Sequence, residues 1–144
     1  MKKKILVTRK LLVENEEKLK ELFDVKLNSK DELYTSDKII ELSKDCDGIL
    51  SAITDQFNKE LIDKLSPSIK IIANFAVGFG NIDVTAAVKK NIVVTNTPEV
   101  LDDSTADISI LLLLGASRKV LEARRAAELQ NWKWSADFML GKQM

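Results

Sequence analysis

The 144-residue sequence predicts an α/β fold: a doubly wound, five-stranded parallel sheet in the order 2-1-3-4-5, followed by a long C-terminal helix. Three observations predict it. Five short apolar, β-branched runs recur at 5–8, 25–27, 48–53, 69–76 and 92–95. Segments with helical periodicity separate them, which implies right-handed crossovers between parallel strands. A stretch without proline, 104–131, then closes the chain.

The first helix is expected over 14–23, with Leu19, Leu22 and Phe23 on its apolar face. Ser36 reads as the N-cap of the second, which turns Ile39, Ile40 and Ser43 toward the sheet. Asn58 caps the third, Leu61, Ile62 and Leu65 form its stripe, and Pro67 stops it. Asp83 or Asn81 begins the fourth, over 85–90, and Asn91 ends it because asparagine tolerates the left-handed conformation. The runs at 48–53 and 69–76 are almost continuously apolar, the pattern of central strands covered on both faces. The stretch 104–131 reads as one helix, apolar around Ile108, Ile110, Leu111, Leu112, Leu113 and Leu114 and charged from Arg118 onward. The expected division is a sheet domain over 1–101 and a helix with an aromatic tail over 102–144.

Composition narrows the function. Lysine plus arginine equals aspartate plus glutamate, 22 against 22, so no basic field recruits nucleic acid or anionic lipid. The apolar run at 5–7 is far shorter than a membrane span or a signal-peptide core, which points to the cytoplasm. The single cysteine, Cys46, reads as a buried small hydrophobe. There is no histidine, the commonest general base and a principal metal ligand, and no metal site is expected. The neighbouring acids Asp102 and Asp103 suit a helix start.

In an open sheet of this kind ligands bind beyond the carboxyl ends of the strands. That rule selects Thr8-Arg9, Ser51-Ala52-Ile53, the loop 76–80 and Asn96-Thr97-Pro98. The glycines at 78 and 80 admit two readings. They can form a plain strand-to-helix turn, or let the backbone turn sharply and present amide N–H groups to an anion. A third glycine at dinucleotide-fingerprint spacing is missing. A phosphate-accepting receiver would need acids after the first strand, an aspartate ending the third and a lysine ending the fifth. Thr8-Arg9, Ser51 and Asn96 stand there instead. Arg9-Lys10-Leu11-Leu12 likewise lacks the hydroxyls of a flavin phosphate loop.

Three motifs carry a family resemblance. The run 72–84 reads Ile-Ala-Asn-Phe-Ala-Val-Gly-Phe-Gly-Asn-Ile-Asp-Val, 94–101 reads Val-Thr-Asn-Thr-Pro-Glu-Val-Leu, and 104–107 reads Ser-Thr-Ala-Asp. Their order and spacing resemble the D-2-hydroxyacid dehydrogenases, most of all the glyoxylate/hydroxypyruvate reductase branch. The resemblance implies a flavodoxin-like substrate-binding domain whose Val77 and Gly78 amides receive the carboxylate of a 2-keto or 2-hydroxy acid. Ser51 and Ala52 would line the cleft, and Thr105 would approach the nicotinamide of NAD or NADP. Among Trp132, Trp134 and Phe138, Phe138 best matches an aromatic residue that reaches a neighbouring subunit's site, although these aromatics also read as anchors of the helix end. Gly80 and Asp102 depart from the family's usual aspartate or asparagine and threonine.

The coenzyme fingerprint implied by the resemblance would begin shortly after Gly141-Lys142 and is absent from these residues, as are the arginine, glutamate and histidine implied for the chemistry. The expectation is therefore a substrate-binding portion with no catalytic residue of its own, no coenzyme bound by itself, and a homodimer through the 104–131 helix. The alternative is a stand-alone folding or dimerisation module.

Overall fold

The computed structural model describes residues 2–130 and 133–142. Its elements are β1 (Lys4–Val7), α1 (Val13–Leu22), β2 (Asp24–Lys26), α2 (Ser36–Ser43), β3 (Gly48–Ala52), α3 (Lys59–Lys64), β4 (Ile71–Phe75), α4 (Val84–Lys89), β5 (Val93–Thr95), α5 (Asp102–Ser117) and α6 (Val120–Glu128). They fall into two compact units, Met1–Glu99 and Val100–Met144. In the first, the strands form one parallel sheet in the order β2-β1-β3-β4-β5, as the sequence predicts.

Paired residues of a parallel sheet share a face, so the register sorts the side chains. Leu6, Ile49, Ile72 and Val94 are aligned across β1, β3, β4 and β5. The first three are buried in a single cluster with Ile39 of α2, Leu61 and Ile62 of α3, and Ala86 and Ala87 of α4. Cys46 lies in the same core, its thiol pushed up by burial, as expected of a small structural hydrophobe. The order 2-1-3-4-5 explains the three helices on this side. The path steps one way across the sheet once and the other way three times, and right-handed crossovers send these two directions to opposite faces.

The opposite face is covered only in part, which differs from the expectation that both central strands are enclosed. α1 buries no residue. Leu22 is 58% exposed, and a cleft of about 300 Å³ runs between Leu19 and Leu22 on one side and Leu50 and Phe75 on the other. Ile71, Phe75 and Val93 stand exposed on this face of β4 and β5. Apolar continuity marks β4 as a strand suited to two covers, and topology within this unit provides one.

Local capping follows side-chain chemistry, with one shift. Thr35 rather than Ser36 caps α2, its Oγ1 accepting the Lys38 N–H at 3.3 Å. Both residues are hydroxylic, and the choice rests on Thr35 being the last one with extended backbone. Asn58 accepts from Leu61 N–H and Asp83 from Ala86 N–H, each at 2.9 Å. Asn91 takes a left-handed φ of 56° after α4.

In the second unit the expected single helix is two. Lys119, with φ 53°, separates α5 from α6, so Gly115 is not the breaking point. An unbroken helix would give the Ser117 carbonyl to the N–H four residues on. Here the returning tail takes it, through Lys142 N–H at 2.9 Å. Gly141 permits this approach, since a Cβ there would sit 2.4 Å from the Ser117 oxygen. The far end of the expected helix, Asn131, lies outside the described residues. No described residue of α5 or α6 is buried, and Leu111 and Leu112 are more than 60% exposed.

A one-sided core makes opposite predictions for two apolar residues of neighbouring strands. Ile49→Ala should cost about 2–5 kcal/mol in urea unfolding, whereas Phe75→Ala, on the open face, should cost less than about 1 kcal/mol.

Candidate functional site

Parallel strands deliver their carboxyl ends to one edge of the sheet. The segments after β3 and β4, residues 53–58 and 76–83, emerge side by side because Ser51 pairs with Asn74 and Ala52 with Phe75. Two sutures then join these loops. Phe57 bridges Ile82, with Phe57 N–H donating to the Asn81 carbonyl at 2.8 Å and Asp83 N–H to the Phe57 carbonyl at 2.9 Å. Beneath them lies a buried amide pair. Asn74 Nδ2 donates to Asn81 Oδ1 at 3.1 Å and to the Gly78 carbonyl at 3.0 Å, while Asn81 Nδ2 reaches the carbonyls of Ala52 at 3.2 Å and Asp55 at 3.0 Å.

Ser51 belongs to this network rather than to an open surface. It is buried, and its Oγ donates to Asn74 Oδ1 at 3.1 Å, so its role is to position the loops. Ala52 is half-buried at the end of β3, where its N–H donates to Asp55 Oδ2 at 2.9 Å. The same oxygen takes the Thr8 hydroxyl at 2.5 Å, tying β1 to the loop after β3. Arg9 extends that tie. It grips Asp31 through Nε and Nη2 and reaches the Thr54 hydroxyl at 2.8 Å through Nη1. The guanidinium beside Asp31, with the Lys10 N–H, holds that carboxyl well below the usual carboxylate range. A cleft of about 470 Å³ adjoins these groups, with Arg9, Lys10, Ala52, Thr54 and Phe75 among its lining.

Val77 and Gly78 lie on the exposed crest of the second loop. Among the described residues neither backbone N–H donates to a protein acceptor. The glycines explain themselves differently from the sharp turn the sequence suggests. Neither Gly78 nor Gly80 has a positive φ, and a Cβ at either would meet nothing within 4 Å. What glycine provides here is an uncluttered approach to the backbone.

The remaining sequence-predicted residues lie in the second unit. Thr105 is exposed on α5, its carbonyl accepting the Ser109 hydroxyl at 2.7 Å. Phe138 lines a hollow with Ala123, Ala126 and Ala127 of α6. Trp134 is 83% exposed, and Trp132 lies outside the described residues. Among the described residues no cluster of three or more histidine, cysteine, aspartate or glutamate side chains is placed to hold a metal, and no helix is long and apolar enough to cross a membrane. Nor do these residues fit a dinucleotide: no three-glycine strand-to-helix turn is present to take a pyrophosphate.

Sequence reasoning missed Asp55, and it missed the buried network that joins Asp55 to Thr8 and joins Asn74 to Asn81. Their types were visible, but polar residues inside or just beyond apolar strands reveal nothing of partners more than twenty positions away.

Residues 5–136 match the family model described as D-isomer specific 2-hydroxyacid dehydrogenase, catalytic domain. The chain is 43% identical over 144 residues to a glyoxylate reductase of Korarchaeum cryptofilum, covering 98% of itself and 43% of that protein. It is 33% identical to a glycerate dehydrogenase of Hyphomicrobium methylovorum, covering 99% of itself and 45% of that protein. Among solved structures, it resembles an NADPH-dependent glyoxylate/hydroxypyruvate reductase of Sinorhizobium meliloti in complex with NADP and malonate. There the TM-score is 0.75 at 32% identity, over 92% of this chain and 40% of the other. The chain thus spans less than half the length of these relatives.

The buried amide pair and the open glycines separate structure from access. Asn74→Ala, which strands Ser51, Asn81 and the Gly78 carbonyl, should lower the stability measured by urea unfolding by about 2–4 kcal/mol. Gly78→Ala should leave it within about 0.5 kcal/mol of the parent.

Proposed function

The chain belongs to the D-isomer specific 2-hydroxyacid dehydrogenases, and from that premise we propose that it supplies the carboxylate-binding side of a reductase that converts a 2-keto acid to a D-2-hydroxy acid. Glyoxylate and hydroxypyruvate are the favoured substrates, because the relatives include reductases named for them. The observation that carries the reading is the pair of unspent amides at Val77 and Gly78, on a loop that a buried network holds rigid. Two neighbouring N–H groups suit the two oxygens of a carboxylate. Ala52, small and half-buried at the end of β3, leaves room beside them for the substrate body, and Ser51 holds the adjoining loop in place.

Reduction also needs a hydride and a proton for the carbonyl oxygen. NAD or NADP, when bound to the whole enzyme, supplies the hydride, and Thr105 is proposed to face its nicotinamide. With no histidine and no dinucleotide cradle among these residues, what they do is bind and orient. Phe138 is proposed to border the substrate cleft of a neighbouring subunit, and a small acid in the cytoplasm is the proposed partner. Pairing of two copies through α5 is part of the same proposal. Ile108, Ile110 and Leu111 to Leu114 are exposed apolar side chains, each worth about 1.5–3 kcal/mol when fully buried.

Three measurements check this reading. The 144-residue polypeptide, freed of host enzymes, should not oxidise NADH or NADPH in the presence of glyoxylate. Titration with sodium glyoxylate, followed by amide NMR, should shift Val77 and Gly78 first, with a dissociation constant at or above about 1 mM, since two backbone amides form only part of a carboxylate site and must also offset the cost of association. Micromolar binding centred elsewhere would refute the site. In light scattering the chain should be dimeric, and Leu111→Lys combined with Leu114→Lys should be monomeric.

A further inference from the structure

The geometry points to Asn96 as the positioning residue that aims the carboxylate-binding amides. The inference rests on the carboxylate reading above and assigns to Asn96 a role that neither the motifs nor the match to relatives provides. Successive carbonyls of the 76–80 loop are each held by a donor. Thr97 N–H donates to the Ala76 carbonyl at 2.9 Å, and Asn96 Nδ2 donates to the Val77 carbonyl at 2.8 Å. Both donors stand at the end of β5.

A trans peptide is planar, so its C=O and N–H point in opposite directions. There is no cis peptide among the described residues. Drawing the Ala76 carbonyl toward Thr97 therefore turns the Val77 N–H away from the β5 end. Drawing the Val77 carbonyl toward Asn96 does the same to the Gly78 N–H. Val77 and Gly78 N–H donate to no protein acceptor among the described residues, and their opposite carbonyls are both pinned from the β5 end. One pin is backbone and the other is a side chain, so the second can be removed by mutation.

The buried pair cannot replace it. Asn74 holds the Gly78 carbonyl, which belongs to the next peptide and orients the Phe79 N–H. Asn96 is also only half-buried and lies outside the apolar core, so its loss should leave the fold standing. Without it, the 77–78 peptide is free to rotate, and its carbonyl oxygen can turn toward the approaching anion.

The test compares the parent chain with Asn96→Ala and Asn96→Gln by NMR, reading the residual dipolar coupling of the Gly78 N–H and the response to sodium glyoxylate. Core amides such as Ile49 and Ile72 report whether each variant remains folded. Asn96→Ala should change the Gly78 coupling and weaken glyoxylate binding roughly 2- to 10-fold, the loss of one net hydrogen bond. Asn96→Gln keeps the donor on a longer arm and should fall between the other two. If the Gly78 coupling is unchanged in folded Asn96→Ala, or if that variant binds glyoxylate as the parent does, the assignment of Asn96 is overturned while the carboxylate site stands. If the parent's Val77 and Gly78 amides ignore glyoxylate, the carboxylate site itself is overturned.

Discussion

The handedness of crossovers between parallel strands is the constraint from which most of this structure follows. Because every strand runs the same way, all carboxyl ends collect at one edge, and loops distant in sequence become neighbours there. Because the path steps once in one direction and three times in the other, three helices crowd one face and a single helix attends the other. The dense core, the open face and the ligand edge are consequences of one chiral preference. None needs a separate explanation from residue propensity.

What the sequence made legible was whatever depends on nearby residues. The five strands, the caps at Asn58 and Asp83, the left-handed Asn91 and the loop at 76–80 all rest on patterns a few residues long. What it concealed was whatever depends on a distant partner. Residues 104–131 have no proline and strong helical character, yet the chain breaks at Lys119, where a tail more than twenty residues away takes the Ser117 carbonyl. Apolar continuity in β4 correctly indicated a central strand, but periodicity cannot say whether a second cover is present. The glycines were recognised as important for a conformational reason that the backbone does not bear out.

The site shows how a protein makes a precise loop from weak parts. Asn74 and Asn81 are buried polar residues, and their burial is tolerable because each amide finds partners on the other and on backbone carbonyls. Removing one member would leave several groups unsatisfied together, so the network behaves as a unit. Such a network fixes the backbone beneath an exposed crest that has little packing of its own. Rigidity matters because an amide already facing outward loses little freedom on receiving an anion.

The segment 74–82 contains asparagine, phenylalanine, alanine, valine, glycine and isoleucine, and nothing that ionises. The grip on an anion proposed for it is thus made entirely from dipoles whose strength does not vary with acidity. Such a host has no proton inventory. It neither gains nor loses hold as the medium moves through neutrality, and it cannot be poisoned by protonation of its own groups. In that proposal, recognition of the acid and management of protons fall to different chemical parts, so evolution could retune the second without disturbing the first.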